Sequence, residues 1–220
     1  MKVLNYGSLN VDYVYSVDHI IVGGETQHSS KLEVFSGGKG LNQSIALAKA
    51  GVPVYHAGIV GTDGDILLEA CKEAGVNTKY IRRLPVKGGH TMIQVDKNAQ
   101  NCIILYGGTN QMQTKEFVDE VLADFGEGDY LILQNEINML DYIIDQAYEK
   151  KMKIVMNPSP FDDKLSTCDL SKVYLFLVNE IEGEQITGCK DKDQILDAMA
   201  ARFPNARFVL TLGSDGAVYY

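Results

Sequence analysis

Short apolar runs alternate with amphipathic stretches along most of the chain. Val3-Leu4-Asn5-Tyr6 reads as a first strand ending at Gly7-Ser8. A helix follows Gly40, with Leu41, Ile45, Leu47 and Ala48 near one face and Gly51 as its stop. Val54 to Val60 is a strand. Asp63 stands where an N-cap would, before Ile66, Leu67, Ala70 and Ala74, and Gly75 closes that helix. Thr114 is placed to cap a helix carrying Phe117, Val118, Val121 and Leu122. Tyr130 to Leu133 reads as a buried strand, and Leu140, Ile143, Ile144 and Ala147 mark the next helix. Further strands fall at Lys153 to Met156, Tyr174 to Val178 and Phe208 to Leu212, with helices around 182–187 and 193–203. Regular alternation of strand and helix predicts an α/β fold in three layers, with a mainly parallel central sheet covered on both faces.

Two stretches break this rhythm. Residues 11–35 alternate Val11, Tyr13, Tyr15 and Val17 with Asp12, Val14, Ser16 and Asp18. Residues 89–106 read as strands Thr91 to Val95 and Cys102 to Tyr106, joined by a turn through Lys97-Asn98-Ala99-Gln100. Together they predict a small antiparallel sheet inserted into the α/β domain spanning 1–220. The pattern fits a lid and fits a plain edge extension equally well.

Composition narrows the function classes. With 45% apolar and 22% charged residues among 220, the chain is an ordinary globular one. Its net charge of -9 argues against non-specific binding of nucleic acid or of an anionic membrane. An anionic ligand would need a local device: backbone N–H groups, one placed cation or a metal. The four cysteines, Cys71, Cys102, Cys168 and Cys189, form no C-x-x-C and are expected to be reduced and mostly buried, which suits the cytoplasm. His19, His28, His56 and His90 show no metal-ligand spacing and are expected at ordinary surface or half-buried positions. The first residues are too quickly polar for a signal peptide, and no apolar run approaches the ~20 residues of a membrane span.

In open parallel sheets ligands bind beyond the carboxyl ends of the strands. Polar residues gather at those positions here. Asn10 and Asp12 follow the first strand, and Gly37-Gly38-Lys39-Gly40 and Asn42 open the first helix. Gln134-Asn135-Glu136, Asn157-Pro158-Ser159-Pro160, Asn179, Glu180 and Glu182, and then Thr211, Gly213, Ser214, Asp215 and Gly216 follow later strands. Asn10, Asp12, Asn42 and Glu136 suit hydroxyl groups, since a carboxylate accepts two hydrogen bonds and an amide both donates and accepts. Taken alone, each fits a turn former or cap better than a ligand. The glycine cluster lets backbone approach a ligand and turns helix N–H groups outward, yet it is neither a Walker loop nor a dinucleotide fingerprint. Asn179 and Glu182, three apart, suit a capping box; they also suit an amide and a carboxylate holding water around Mg²⁺.

The motifs taken in order resemble the ribokinase family, the phosphofructokinase-B-type carbohydrate kinases. The carriers are Gly7-Ser8-Leu9-Asn10-Val11-Asp12, Gly24-Glu25-Thr26 and Ser36-Gly37-Gly38-Lys39-Gly40-Leu41-Asn42-Gln43. Gly58 to Gly64, Gln134-Asn135-Glu136, Asn157 to Pro160, Asn179 to Glu182 and Thr211 to Gly216 continue the series. The resemblance implies transfer of the ATP γ-phosphoryl group to a hydroxyl of a pentose-like sugar such as ribose. By the same resemblance, Asn10, Asp12, Gly38, Lys39, Asn42 and Glu136 face the sugar. Asn179 lies near phosphate, Glu182 near Mg²⁺, and Thr211 and Gly213 on the nucleotide side. It further implies a β-sheet lid used as a homodimer clasp, and a monovalent cation in the full-length protein.

One family motif is absent. The Gly-Ala-Gly-Asp turn, which supplies the anion hole and the general-base aspartate, does not occur in the sequence. The expectation is therefore a chain lacking its C-terminal part, with no catalytic base among its residues and little turnover. Asp215, a turn residue between strands, is no substitute. Two alternatives stand beside a sugar kinase: a non-catalytic sugar-binding module, and a nucleoside or other sugar kinase of the same family. Tyr13, Tyr15 and Phe35 are the aromatic residues that a nucleoside base could stack on, or lid packing.

Overall fold

The computed structural model describes residues 1–220. In chain order its elements are β1 (Val3–Tyr6), β2 (Asn10–Ser16), β3 (Lys31–Gly37), α1 (Lys39–Lys49), β4 (Val54–Val60), α2 (Asp65–Ala74) and β5 (Asn77–Arg83). They continue with β6 (Gly89–Val95), β7 (Asn101–Tyr106), α3 (Lys115–Leu122), β8 (Tyr130–Gln134), α4 (Leu140–Glu149) and β9 (Lys153–Asn157). The last are β10 (Leu175–Asn179), α5 (Glu180–Thr187), α6 (Lys192–Arg202), β11 (Arg207–Thr211) and β12 (Ala217–Tyr219). The chain divides into two compact units, one of Met1–Tyr6 with Gln113–Tyr220 and one of Gly7–Met112.

In the first unit β1 pairs with β8, β8 with β9, β9 with β10 and β10 with β11, all in parallel. Only β12 runs antiparallel, against β11. The strands are near-continuous apolar runs because they are buried on both faces. Leu131, Leu133, Ile154, Met156, Phe176 and Leu210 are fully or almost fully removed from water. The helices obey their apolar periodicity: Phe117, Val118, Val121 and Leu122 of α3, and Leu140, Ile143, Ile144 and Ala147 of α4, are all buried. Thr114 caps α3, its side chain accepting the N–H of Phe117.

In the second unit β4 and β5 pair in parallel, with α1 and α2 packed on them. Gly75 ends α2 in the left-handed conformation, as its position predicts. Asp63 does not cap that helix. The helix starts at Asp65 after Gly64, with no side-chain cap, because the Asp63 carboxylate is spent elsewhere. Strand β5 left no clear sequence signal: only Tyr80 of its seven residues is buried.

The remaining strands of this unit form a separate four-stranded sheet in the order β3-β2-β6-β7. It is mixed, not antiparallel. β2–β3 and β6–β7 are antiparallel pairs, but β2 and β6 run side by side in the same direction, Asn10 opposite Gly89 through Ser16 opposite Val95. The β6–β7 turn closes on Asp96, whose Oδ1 accepts the N–H groups of Asn98 and Gln100.

Two side-chain expectations change. Of the cysteines only Cys71 is buried; Cys102 is exposed and the other two are half-buried, all as free thiols. Burial pushes the Cys71 thiol up to about 11. His56, expected at a surface or half-buried position, is fully buried in β4. Its Nδ1 lies 2.7 Å from Ser44 Oγ and its Nε2 3.3 Å from the Gly7 carbonyl oxygen. A carbonyl only accepts, so Nε2 carries the proton and Nδ1 accepts from the serine hydroxyl.

Candidate functional site

The second unit builds a cluster where β2 leaves Gly7-Ser8-Leu9. Asn10, the first residue of β2, is buried, and its Oδ1 accepts a hydrogen bond of 2.7 Å from Asn110 Nδ2. Asn110 is buried too. Its Oδ1 accepts the Leu9 N–H at 3.0 Å, and Nδ2 also donates to the Leu9 carbonyl at 3.3 Å. Both side-chain polar atoms of Asn110 are thus spent on holding the Leu9–Asn10 segment. Because the Asn10 carbonyl oxygen faces this donor, its own amide N–H groups face away from Asn110.

Asp12, two residues on, shares the Asn10 face of the strand. Thr91 Oγ1 on β6 donates to Asp12 Oδ1 at 2.6 Å. The neighbouring strand makes room for the carboxylate: a Cβ on Gly37 would lie 1.9 Å from Asp12 Oδ2. Across the sheet Asp12 stands opposite Phe35 and Thr91, and Thr91 opposite Leu105. Phe35, about half exposed, therefore flanks Asp12 on the same face. Tyr13 and Tyr15 point to the opposite face, where Tyr13 meets the His90 ring edge-on and accepts a hydrogen bond from Lys87 Nζ at 3.0 Å. Only Phe35 of the three aromatic candidates lies beside Asp12.

Gly38 precedes α1 with φ of 97° and ψ of 138°. A side chain there would press on Ser8 O and the Asn10 N–H at 3.0 and 3.1 Å. Gly40 packs more tightly still: its Cβ would lie 2.4 Å from the Ser8 nitrogen. The glycine turn thus lets α1 begin directly on the Gly7-Ser8 backbone. This uses up the helix N-terminus. The Gly40 N–H donates to Ser8 Oγ, the Leu41 N–H to Ser8 O and the Asn42 N–H to Gly38 O. Those three N–H groups are not turned outward to a ligand, as the glycine cluster alone suggests. What α1 offers is side chains: Lys39 and Asn42, three apart on its first turn, project from the same face, and Asn42 is exposed.

Glycines also cross at the foot of the small sheet. A Cβ on Gly61 would meet the Gly88 nitrogen at 2.2 Å, and one on Gly89 would meet Asn110 Nδ2 at 2.1 Å. Asp63 ties this crossing. Its Oδ1 accepts the Gly88 N–H at 2.9 Å and its Oδ2 pairs with Lys87 at 2.7 Å. Burial opposes the ionised carboxyl, but these partners outweigh it and hold it below the usual aspartate range. Asn110, Thr91 and Lys87 escaped the sequence reading: each acts on a residue far away in the chain, and none sits in a recognisable spacing.

The first unit carries the other candidates at the carboxyl ends of its strands. Asn179 and Thr211 are register partners on β10 and β11. Asn179 caps α5 in a reciprocal capping box: Asn179 Oδ1 accepts the Glu182 N–H at 2.8 Å, and Glu182 Oε2 accepts the Asn179 N–H at 3.1 Å. Gly213 follows with φ of 57° at the start of a 3-10 turn. Glu136 lies half-buried just after β8. Its neighbour Asn135 ties down the 158–162 loop instead, donating to Pro160 O at 2.6 Å and Asp162 Oδ1 at 2.9 Å. No three His, Cys, Asp or Glu side chains converge as a metal-binding group. Glu182 has one oxygen committed to the cap, so its donor set suits a hydrated Mg²⁺, which keeps most of its waters, and does not suit a closed metal cage.

A mainly parallel α/β sheet and a smaller second sheet define the class of fold, and the fixed amide–carboxylate pair lies on the smaller sheet. The pfkB family carbohydrate kinase model matches residues 1–220, and the chain belongs to that family. It is 32% identical to the ribokinase of Staphylococcus aureus, over 96% of this chain and 70% of that protein. It is 30% identical to the ribokinase of Haemophilus influenzae, over 96% of this chain and 71% of that protein. Among solved structures, the Cryptococcus neoformans ribokinase in complex with ADP superposes with a TM-score of 0.81 at 28% identity, covering 100% of this chain and 75% of that one.

Proposed function

We propose that this carbohydrate kinase transfers the γ-phosphoryl group of ATP to a hydroxyl of a pentose-like sugar such as ribose. The observation that carries the proposal is the fixed pair of Asn10 and Asp12, held by Asn110 and Thr91. A carboxylate locked in one rotamer accepts from two neighbouring hydroxyls, and the adjacent amide supplies the matching donor. Gly38 brings backbone close to the same pair, Lys39 and Asn42 extend this set from α1, and Glu136 is assigned to the sugar by the family resemblance. Asn179, Thr211 and Gly213 are assigned to the phosphates and nucleotide, and Glu182 to Mg²⁺ through water. When bound, Mg²⁺ neutralises charge on the phosphates. The chain's own residues orient the sugar hydroxyl and exclude competing poses.

The 220 residues are proposed to bind the sugar through Asn10 and Asp12. A coupled ADP-release assay with ribose, deoxyribose and adenosine tests this, alongside calorimetric titration of each. Saturable ribose binding that Asp12→Ala abolishes supports the proposal. Adenosine displacing ribose would favour a nucleoside kinase, with Phe35 as its stacking face. Sugar binding with no response to Mg-ATP would favour a non-catalytic module.

We further propose that the small sheet clasps a second copy of the chain. The face opposite Asp12 exposes Leu32, Val34, Met92 and Ile104, and an open cavity of about 300 Å³ lies beside Tyr15, Ile21, Met92 and Ile104. Such an apolar area on a sheet is a docking surface or an aggregation site. The free thiols and the ATP requirement fit a cytoplasmic setting, and no helix is long and apolar enough to cross a membrane.

A further inference from the structure

The carboxyl ends of the strands carry the candidate chemistry, yet the first unit has a cavity at their amino ends. Its volume is about 400 Å³. Lys153, the first residue of β9, and Tyr174, one residue before β10, line it with Lys151, Lys172, Tyr148 and Asn205. β9 separates this cavity from Asn157 by four residue steps, roughly 13 Å. It is a different place from the nucleotide-side candidates of the same unit.

The charges around it are unusual for an acidic chain. Lys153 Nζ sits over two phenol rings, 5.2 Å from the Tyr130 centroid and 5.3 Å from that of Tyr174. The Arg207 guanidinium lies 4.7 Å from the same Tyr174 ring. Neither cation has a carboxylate within ion-pair distance; the polar contact of Lys153 is Tyr130 Oη at 3.4 Å. Lys172 is different, being neutralised by Asp145 at 2.7 Å and Asp169 at 3.5 Å. Lys151 holds Glu127 only loosely, at 3.6 Å and well exposed. Two cations sharing one ring repel each other, and the ring quadrupole compensates them only in part. Arg207 lies outside the cavity lining, so an anion in the cavity supplies the counter-charge that Lys153 lacks, and an ammonium group binds phosphate oxygens as a point charge.

We propose that this cavity binds a phosphate-class oxyanion, held by Lys153 and Lys151 with the Asn205 amide as a neutral donor. Lys172, already paired, shapes the wall and cation–π contact fixes it on Tyr148 at 5.6 Å. The site does not depend on the sugar-kinase proposal, because none of its residues belongs to the sugar or nucleotide sets.

The test is calorimetric titration of inorganic phosphate into the whole chain at constant ionic strength, with chloride as the balancing salt. The expected result is saturable binding that Lys153→Gln weakens about tenfold or more, since one of two principal cations is lost. The thermal midpoint of the same variant should be unchanged, which shows that the variant is folded. A pentose phosphate titrated in parallel distinguishes the free ion from a phosphorylated sugar as the natural source; Lys153-dependent saturation by either upholds the site. No saturable binding of either one, or equal binding by wild type and Lys153→Gln, overturns the proposal.

Discussion

Asn110 Nδ2 and Asn10 Oδ1 lie 2.7 Å apart, a hydrogen bond between two buried side chains separated by 100 positions in the chain. It decides which end of the Asn10 amide is presented to a ligand. Asn110→Ala removes it and leaves the buried N–H and carbonyl of Leu9 without their partner. Each unsatisfied group costs ~1–3 kcal/mol, so the melting temperature should fall clearly. Asn110→Asp separates folding from recognition. It keeps an acceptor for the Leu9 N–H but sets a carboxylate against Asn10 Oδ1, so the Asn10 amide should turn over. Calorimetry should then show ribose affinity falling about tenfold or more with a smaller loss of stability. Unchanged affinity in Asn110→Asp would remove Asn110 from sugar recognition.

The glycine turn makes a sharper prediction about packing. Gly40→Ala would put a methyl group 2.4 Å from the Ser8 nitrogen and 2.6 Å from the Gly7 carbonyl carbon. These are backbone atoms, so no side chain can swing away to relieve the contact. A loss of ~3 kcal/mol or more is expected by the overpacking mechanism, seen as a large fall in the denaturation midpoint. Gly23→Ala is the control: nothing lies within 4 Å of its Cβ, and its midpoint should barely move.

These two sites show what the sequence could and could not reveal. Local devices were legible. The Asn179–Glu182 box, the Thr114 cap and the Gly75 stop each need only three or four residues in order, and all form. Apolar periodicity identified α3, α4 and the buried strands because burial on one or both faces leaves a direct pattern. Asp63 misled, since a carboxylate before an apolar run looks like a cap whatever it binds; here it binds Gly88 and Lys87, 25 and 24 positions away. Strand β5 was missed because its charged residues face water. The mixed order of the small sheet was hidden for another reason. Alternation reports which residues share a face, not which strand lies beside which.

Burial pushes His56 down to about 4 from an ordinary 6.5. Between these values the unfolded chain binds a proton that the folded chain refuses, so the contribution is complete above pH 6.5 and is lost as pH falls toward 4. Two to three pKa units correspond to roughly 3 kcal/mol. The lowered carboxyl of Asp63 starts from 3.8 and acts below this window. Thermal melts from pH 7.5 to 4 should show a stability drop across pH 6.5–4, and His56→Gln, which keeps a donor and an acceptor, should flatten that part of the profile. A wild-type profile already flat in that range would contradict a neutral, buried His56.

The exposed face of the small sheet predicts the oligomeric state. Tyr13, Val34, Met92 and Ile104 form one row across its four strands, and Ile104 is 63% exposed in the single chain. An isoleucine at that exposure on an edge strand is costly alone and stabilising once covered by a second copy. Light scattering should therefore report a dimer for the wild type. Ile104→Lys places a charge at the exposed end of the row and should shift the chain to a monomer. The Asp12 face lies on the other side of the sheet, so ribose affinity should survive unless pairing itself holds the sheet in place. Measuring both quantities on one variant separates a clasp that only joins two chains from one that also shapes the sugar site: the first changes mass alone, the second changes mass and affinity together. A monomeric wild type would rule out the clasp.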